Sequence, residues 1–488
     1  MCRIAGIADR SLSPDSLRSL TKNMCDILAH GGPDDEGVFV NESEHVALGN
    51  RRLALIDLSH GGHQPMSYAN ERYQITYNGE LYNYPELKEE LIAAGCVFKT
   101  KSDTEVILAS FSTWGINAFR RFNGMFAFAL WDSEMKTIYL VRDPSGIKPL
   151  YFAANSEHLV FASEIRAFKP VTYLQKNNPD WQVYLMAYGH LPEPVTTLKD
   201  VKPLTKGHFL SYQITSGKWS IKTYNHFSFI EKISNRSHAI DLVATCLKAA
   251  VERNLLADAK LGVFLSGGLD SGIIAKLADD KTNKRLNTIS IYFEEKKYSE
   301  KNYQDVMSSD LAANHFEHLL KYSEFREFLP AVIKAMDQPS SDGINTWFIS
   351  KYAHESGLKA VLSGIGGDEL FGGYPSFHRI DKTLALQQMP NNFLRKASSV
   401  GSKLFRRMSY LSINGIQGVY LFLRGQFIPP EIAQQTGMDV KKVWNILSAP
   451  LQQHDIHYLT PHNQASWMEI NMYMQNQLLR DADVMSMA

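Results

Sequence analysis

The sequence predicts a chain in two parts: an α+β region with mainly antiparallel strands up to about Tyr212, then a doubly wound parallel α/β region. Three observations carry this. Short strand-like runs crowd the first part, too close together for crossover helices between most of them. From His238 onward strand and helix patterns alternate, which a parallel sheet with crossover helices requires. Between the two lie a turn at Ser216 and Gly217 and a polar stretch from Ile233 to Ser237 that reads as a linker. The two domains are accordingly placed at 2–215 and 235–488.

In chain order, Ile4–Ala8, Val46–Leu48, Tyr73–Tyr77, Met125–Trp131, Ile138–Val141 and Leu159–Phe161 are β-type runs bounded by Gly, Asp, Asn or Ser. Two helical patterns interrupt them, Pro14–Leu28 and Pro85–Ala94, each with proline near its first turn. In the second part, helices are expected at His238–Asn254, Gly272–Asp279, Asn302–Asn314 and Trp347–Ser356. Strands are expected at Leu261–Phe264, Leu286–Phe293 and Ala360–Leu362, and the chain is mainly helical after Gly373.

With 44% hydrophobic and 21% charged residues, each part can form a packed core. Acidic and basic residues balance at 51 each, so no global field draws nucleic acid or an anionic membrane. Small molecules and further copies of the chain are the expected partners. Four scattered cysteines, Cys2, Cys25, Cys96 and Cys246, make neither a disulfide framework nor a paired-cysteine zinc site. No signal peptide opens the chain and no apolar run approaches the roughly 20 residues that span a bilayer. The expected setting is the reduced cytoplasm.

The most informative segment is Leu265-Ser266-Gly267-Gly268-Leu269-Asp270-Ser271, which follows a strand and opens a helix. Two glycines let successive N–H groups face one anion, and the helix N-terminus and the Ser266 and Ser271 hydroxyls add to its attraction. The loop has no lysine but carries Asp270, a hard oxygen ligand for Mg²⁺. This suits ATP whose pyrophosphate leaves while the α-phosphate is attacked. The segment resembles the pyrophosphate-binding motif of the ATP pyrophosphatase superfamily.

Ligands of open parallel sheets sit beyond the carboxyl ends of strands, so a second contact is expected on a neighbouring strand. Ser363-Gly364-Ile365-Gly366-Gly367-Asp368 fits: Ser363 and Gly364 give close backbone approach to the nucleotide, and Asp368 can be a second Mg²⁺ ligand. Ile291, ending its strand at the same edge, is placed against the adenine.

Loss of Met1 would make Cys2 the first residue, with thiol and amine together. An α-amine of reference pKa about 7.7–8.0 can accept the thiol proton near neutrality. Asn78 and Gly79 can form an oxyanion hole, Arg52 can grip an α-carboxylate, and Glu80 and Asp103 can hold an α-ammonium. Each has an ordinary alternative taken singly: a turn, a surface arginine, a helix-capping aspartate.

Taken in order, Cys2-Arg-Ile-Ala-Gly-Ile, His30-Gly-Gly-Pro33-Asp34, Arg52-Leu, Asn78-Gly-Glu, Gly124-Met-Phe-Ala-Phe-Ala-Leu-Trp-Asp132 and Arg142-Asp-Pro-Ser-Gly-Ile-Lys-Pro-Leu-Tyr151 resemble class II glutamine amidotransferases. Joined to the phosphate loop and Gly366-Gly-Asp-Glu-Leu-Phe-Gly-Gly-Tyr374, they resemble glutamine-hydrolysing asparagine synthetases over nearly the whole chain. The resemblance implies an N-terminal-nucleophile αββα sandwich, an adenylating α/β domain, an internal ammonia channel and a homodimer. It implies glutamine hydrolysis at Cys2 and adenylation of an acceptor carboxylate by MgATP, with aspartate becoming asparagine.

The sequence departs from that pattern in three places. Gly31 stands where the family commonly has arginine, so a structural effect near the cysteine is expected. Ile365 stands where asparagine-forming members usually carry an acidic residue. An apolar side chain cannot act as a base, so a non-aspartate acceptor, such as a surface-polysaccharide precursor, is the alternative. The sequence stops at Ala488, where the family continues into a stretch holding a lysine thought to stabilise the pyrophosphate transition state. That implies a shortened chain or a degenerate paralogue, with glutaminase activity and poor adenylation.

Delivery of ammonia to a sugar phosphate needs no ATP and leaves the Asp270 loop without a purpose. A non-catalytic binding protein leaves Cys2, Arg52, Asn78 and Asp103 without one. The basic run Arg395-Lys396 and Lys403-Leu-Phe-Arg406-Arg407 reads as a solvated helix face rather than a lipid-binding helix.

Overall fold

The computed structural model describes residues 2–229, 232–282, 285–295, 297–397, 403–451 and 455–487, with side chains of 395–397, 403 and 404 excepted. Twelve strands fill the first part: β1 (Arg3–Asp9), β2 (Asp35–Asn41), β3 (Val46–Arg52), β4 (Met66–Tyr68), β5 (Tyr73–Leu81), β6 (Gly124–Asp132), β7 (Thr137–Arg142), β8 (Tyr151–Ala154), β9 (His158–Ala162), β10 (Lys202–Pro203), β11 (His208–Gln213) and β12 (Trp219–Thr223). They form two antiparallel six-stranded sheets, ordered β10-β8-β9-β1-β3-β2 and β12-β11-β7-β6-β5-β4.

Alternation along each strand decides what the faces bury. Ile4 and Ala8 of β1 meet Ala127, Ala129 and Trp131 of β6 between the sheets, while Ala5 and Ile7 pack outward on Leu17 and Met24 of the helix Pro14–Ile27. The odd residues Tyr73, Ile75 and Tyr77 of β5 face the helices Tyr84–Ala93 and Asp103–Trp114. The result is helix, sheet, sheet, helix, as the resemblance implies.

Asn78, Gly79 and Glu80 lie inside β5, paired with Ala127, Phe126 and Met125, and not in a turn after Tyr77. Asn-Gly is a strong turn signal, but pairing with β6 along one flank holds the chain extended here. A third helix, Asp103–Trp114, was not expected; Ser102 opens it by accepting from Thr104 N at 3.2 Å.

The second part holds β13 (Leu261–Phe264), β14 (Asn287–Phe293), β15 (Asn314–Leu320) and β16 (Ala360–Leu362). All pairs are parallel and the order is β15-β14-β13-β16. Helices Arg236–Asn254 and Leu269–Lys281 cover one face, and Tyr322–Ala335, Ile344–Glu355 and Arg480–Met485 the other. The expected helix Asn302–Asn314 ends at Ser309, and Asn314 begins β15. Polar Asn and His at the start of β15 hid its period-two pattern.

The rest is a helical lobe whose core includes Phe377, Tyr410, Leu421, Ile432 and Met468. The helix Trp181–Tyr188, from the first part of the sequence, sends Val183 and Tyr184 into this core. Of the basic run, residues 395–404 lie outside the described side chains, while Arg406 pairs with Glu431 at 2.9 Å. Among the described residues no helix is long and apolar enough to cross a membrane.

Candidate active site

Cys2 stands immediately before β1 and opens onto a cleft whose empty space, mouth included, is about 380 Å³. Arg52, Leu53, Gly62, Gln64, Tyr77, Gly79, Glu80, Ser102, Asp103 and Thr104 share its walls. Of the expected glutaminase residues, Cys2, Arg52, Gly79, Glu80 and Asp103 therefore meet around one cavity. Asn78 does not line it. Asn78 is fully buried, and both of its amide atoms lack a hydrogen-bond partner among the described residues. An amide left unpaired in this way is costly unless a ligand or water completes it.

The Cys2 thiol is 3.7 Å from the Leu53 carbonyl oxygen, and burial pushes its pKa up. Arg52 is anchored by its own loop: Nη1 donates to Ser59 O at 3.1 Å and Nη2 to Ile56 O at 3.3 Å and to Asp57 O. Gly62 lies flat against the guanidinium, since a Cβ there would meet Nη2 at 1.9 Å. Asp103 Oδ2 accepts from Tyr77 OH at 3.0 Å and Leu81 N at 2.9 Å, and burial raises its pKa. Glu80 rises to about 7, through burial first and the neighbouring Asp103 charge second.

Gly79 allows β5 to approach β6 closely. A Cβ at Gly79 would lie 2.2 Å from Met125 O and 2.7 Å from Phe126 Cα, both backbone atoms that cannot rotate away. Gly79→Ala is therefore expected to destabilise the first domain by about 3 kcal/mol, read as a lower urea midpoint.

At the other site the strand order reverses between β13 and β16, which makes a switch point. The segments leaving these two strands are Leu265–Ser271 and Ser363–Asp368, so the fold itself brings the two expected motifs together. Leu265 N donates to Ile289 O at 2.9 Å, extending the parallel pairing, and Gly267 turns the chain at φ +90°. Ser266 Oγ and Ser271 Oγ are 2.9 Å apart, and Gly268 N donates to Ser266 Oγ at 3.2 Å. A Cβ on Gly364 would lie 3.1 Å from Asp270 Cβ, and one on Gly367 would lie 2.4 Å from the Asp270 carboxylate. Asp270 has its pKa raised by burial and then by the Asp368 charge. Two facing carboxylates of this kind suit a divalent cation.

Ile291 lies two residues before the end of β14, and its carbonyl accepts from Gln304 Nε2 at 3.0 Å. Gln304, which also reaches Ser266 O at 3.4 Å, ties that strand end to the Leu265–Ser271 loop and was missed from sequence. Glu369 was missed as well: it accepts from Gly366 N at 3.0 Å and from Tyr374 OH at 2.7 Å, fixing the turn behind Gly364. In the cysteine cleft, Leu53, Gln64 and Ser102 were missed. None carries a chemical signal on its own, because they act by backbone position or by local hydrogen bonds.

The two halves match two known families, the glutamine amidotransferase domain over residues 1–225 and asparagine synthase over 242–488. The whole chain is 30% identical to asparagine synthetase [glutamine-hydrolyzing] 1 of Bacillus subtilis (strain 168), covering 78% of it. The chain belongs to the asparagine synthase family. It is also 32% identical, over 88% of its length, to a putative asparagine synthetase [glutamine-hydrolyzing] 2 of Methanocaldococcus jannaschii, of which 86% is covered. This asparagine synthase family member is thus an enzyme of the glutamine-hydrolysing carbon–nitrogen ligase type.

Proposed function

We propose that the enzyme moves the side-chain nitrogen of glutamine onto a carboxylate that ATP has activated, with aspartate becoming asparagine. The observation that carries this is the single cleft joining Cys2, Arg52, Gly79, Glu80 and Asp103, in one chain with the switch-point loops. Once Cys2 is the first residue, its α-amine takes the thiol proton and the thiolate attacks the glutamine amide carbon. Gly79 N–H donates to the oxyanion, and the unpaired Asn78 amide, which does not line the empty cleft, must turn toward it to add Nδ2 as the second donor. Arg52 holds the α-carboxylate, and Glu80 and Asp103 hold the α-ammonium. The C–N bond breaks, ammonia leaves with the proton from the α-ammonium of Cys2, and water frees glutamate from the thioester.

At the switch point Leu265, Ser266, Gly267, Gly268 and Ser271 cradle the phosphates, while Ile291, Ser363 and Gly364 hold the nucleoside end. Asp270 and Asp368 would hold Mg²⁺, which supplies charge neutralisation for the pyrophosphate. The acceptor carboxylate attacks the α-phosphate, pyrophosphate leaves, and ammonia displaces AMP from the acyl carbon. We assign these steps to a cytoplasmic homodimer on the family resemblance.

Ile365 favours a second reading, with the same chemistry on a non-aspartate acceptor, because an exposed apolar side chain stands at the mouth of this motif. Incubation with glutamine, MgATP and aspartate tests both. Glutamate, AMP and asparagine in equal amounts support the first reading. Glutamate with AMP formed only on a different carboxylate supports the second, and no glutamate sinks both.

A pH dependence follows from Glu80. Burial raises its pKa to about 7, so below that pH it is protonated and loses its attraction for the α-ammonium. The KM for glutamine is therefore expected to rise as pH falls through about 7. Glu80→Gln should raise KM above about pH 7 to the value the parent shows at lower pH, and remove that inflection from the kcat/KM profile.

A further inference from the structure

A buried ion network crosses the domain boundary beside Cys2. Arg3 and Glu164 have fully buried side chains, and Asp483 exposes only 3% of its own. Arg3 Nε donates to Glu164 Oε1 at 2.6 Å, and its Nη2 donates to the Asp483 carbonyl at 3.0 Å. Its Nη1 reaches the Cys2 carbonyl at 3.3 Å and Asp483 Oδ2 at 3.0 Å. Lys148 Nζ takes the other Asp483 oxygen at 2.6 Å. Glu164 also faces His30 at 3.0 Å and Arg166 at 2.9 Å, and Arg166 Nε lies 3.4 Å from Asp337. Arg3, Lys148, Glu164 and Arg166 come from the first domain; Asp337 and Asp483 come from the second.

The Arg3 side chain also occupies the space above Gly31. Any Cβ at 31 would lie 2.4 Å from Arg3 Cγ and 2.7 Å from Arg3 Nε. The absent side chain at 31 and the arginine at 3 are therefore one packing arrangement. Position 31 is where the resembled family commonly places its own arginine.

We infer that Arg3 is a positioning residue of the glutaminase site, and that it acts as a strut between the Cys2 carbonyl and the synthetase helix Arg480–Met485. Its guanidinium fills the space that a residue-31 arginine would otherwise enter, so the arginine at 3 and the glycine at 31 compensate each other. The strut holds the main chain that carries the nucleophile and does not touch glutamine. This inference rests on the reading of Cys2 as the nucleophile.

Five variants of the full chain test it, with glutamate release as the readout and circular dichroism as the check on folding. Arg3→Met is expected to lower kcat for glutamine hydrolysis about tenfold or more, with KM changed by less than about threefold, because the substrate-holding groups are untouched. Asp483→Asn should lower kcat in the same way, and the Arg3→Met/Asp483→Asn double variant should fall no further than the worse single change. Arg3→Gly should be poorly active, and Arg3→Gly/Gly31→Arg should recover most of the loss by refilling the same space. A folded Arg3→Met protein with kcat within about twofold of the parent overturns the inference. So does an Arg3→Gly/Gly31→Arg protein no more active than Arg3→Gly, a comparison that stands even if Arg3→Met fails to fold. If the unsubstituted protein releases no glutamate, the functional reading has failed. The rate of Cys2 alkylation by iodoacetamide then decides the Arg3 role, and a rate unchanged by Arg3→Met rejects it.

Discussion

Cys2→Ala is expected to lower glutamate release from glutamine by roughly 10⁴-fold or more in kcat, while AMP formation with free ammonia continues. The thiol is buried, and burial raises its pKa, so the resting sulfur is protonated. It becomes a nucleophile only by passing its proton to a base, and the amine of the processed chain start is the group the reading assigns. Cys2→Ser keeps that amine but offers a hydroxyl that is far harder to ionise, so it should approach the alanine variant in rate. The comparison separates loss of the nucleophile from loss of the cleft: glutamine binding, read by quenching or calorimetry, should survive both changes. Glutamate release at the parent rate from either variant would remove Cys2 from the chemistry. Failure of both variants to bind glutamine would show that the substitutions had disturbed the pocket.

How far the sequence carried the argument depended on where each residue's signal lies. The strands of the first domain were legible because alternation is a local pattern, and Ile4–Ala8 and Met125–Trp131 fall inside β1 and β6. The Leu265–Ser271 loop was legible as a strand-to-helix turn because its glycines and Asp270 sit next to one another along the chain. Asn78-Gly79 was placed beyond the strand's end, not inside it, because its conformation is set by β6 on one flank, and pairing of that kind leaves no local mark. Gln304 and Glu369 escaped for a related reason: each is an ordinary polar residue until the fold places it against a strand end or a turn. Gly31 was recognised as a departure, but not its partner. Arg3 carries no local signal of burial, and only the fold, which leaves its side chain 0% exposed against Gly31 and Asp483, pairs the two positions. The helix Trp181–Tyr188 shows the same limit at domain scale, since the core that its apolar face joins is built from residues about two hundred positions later.

Asp270→Asn is expected to lower AMP and pyrophosphate formation by about 10²–10³-fold, with glutamine hydrolysis retained. Burial and the Asp368 charge both disfavour ionisation of Asp270, so without a cation the pair carries repulsion. A divalent ion reverses this by favouring both ionised carboxylates, and its binding therefore displaces protons. The sign follows: Mg²⁺ affinity should increase as pH rises through the carboxylate range, and Asp270→Asn should flatten that dependence. Because an ion that binds only the folded chain raises its melting temperature, MgATP should stabilise the parent against heat and stabilise Asp270→Asn far less. Gly367→Ala offers an independent approach to the same point. Its Cβ would come within 2.4 Å of the Asp270 carboxylate, a side-chain group that can swing aside, so the fold should persist while the carboxylate leaves its place. Adenylation should then fail as it does in Asp270→Asn. Pyrophosphate exchange at the parent rate in both variants would mean that the switch-point carboxylates have no part in nucleotide chemistry, however well the two loops are juxtaposed.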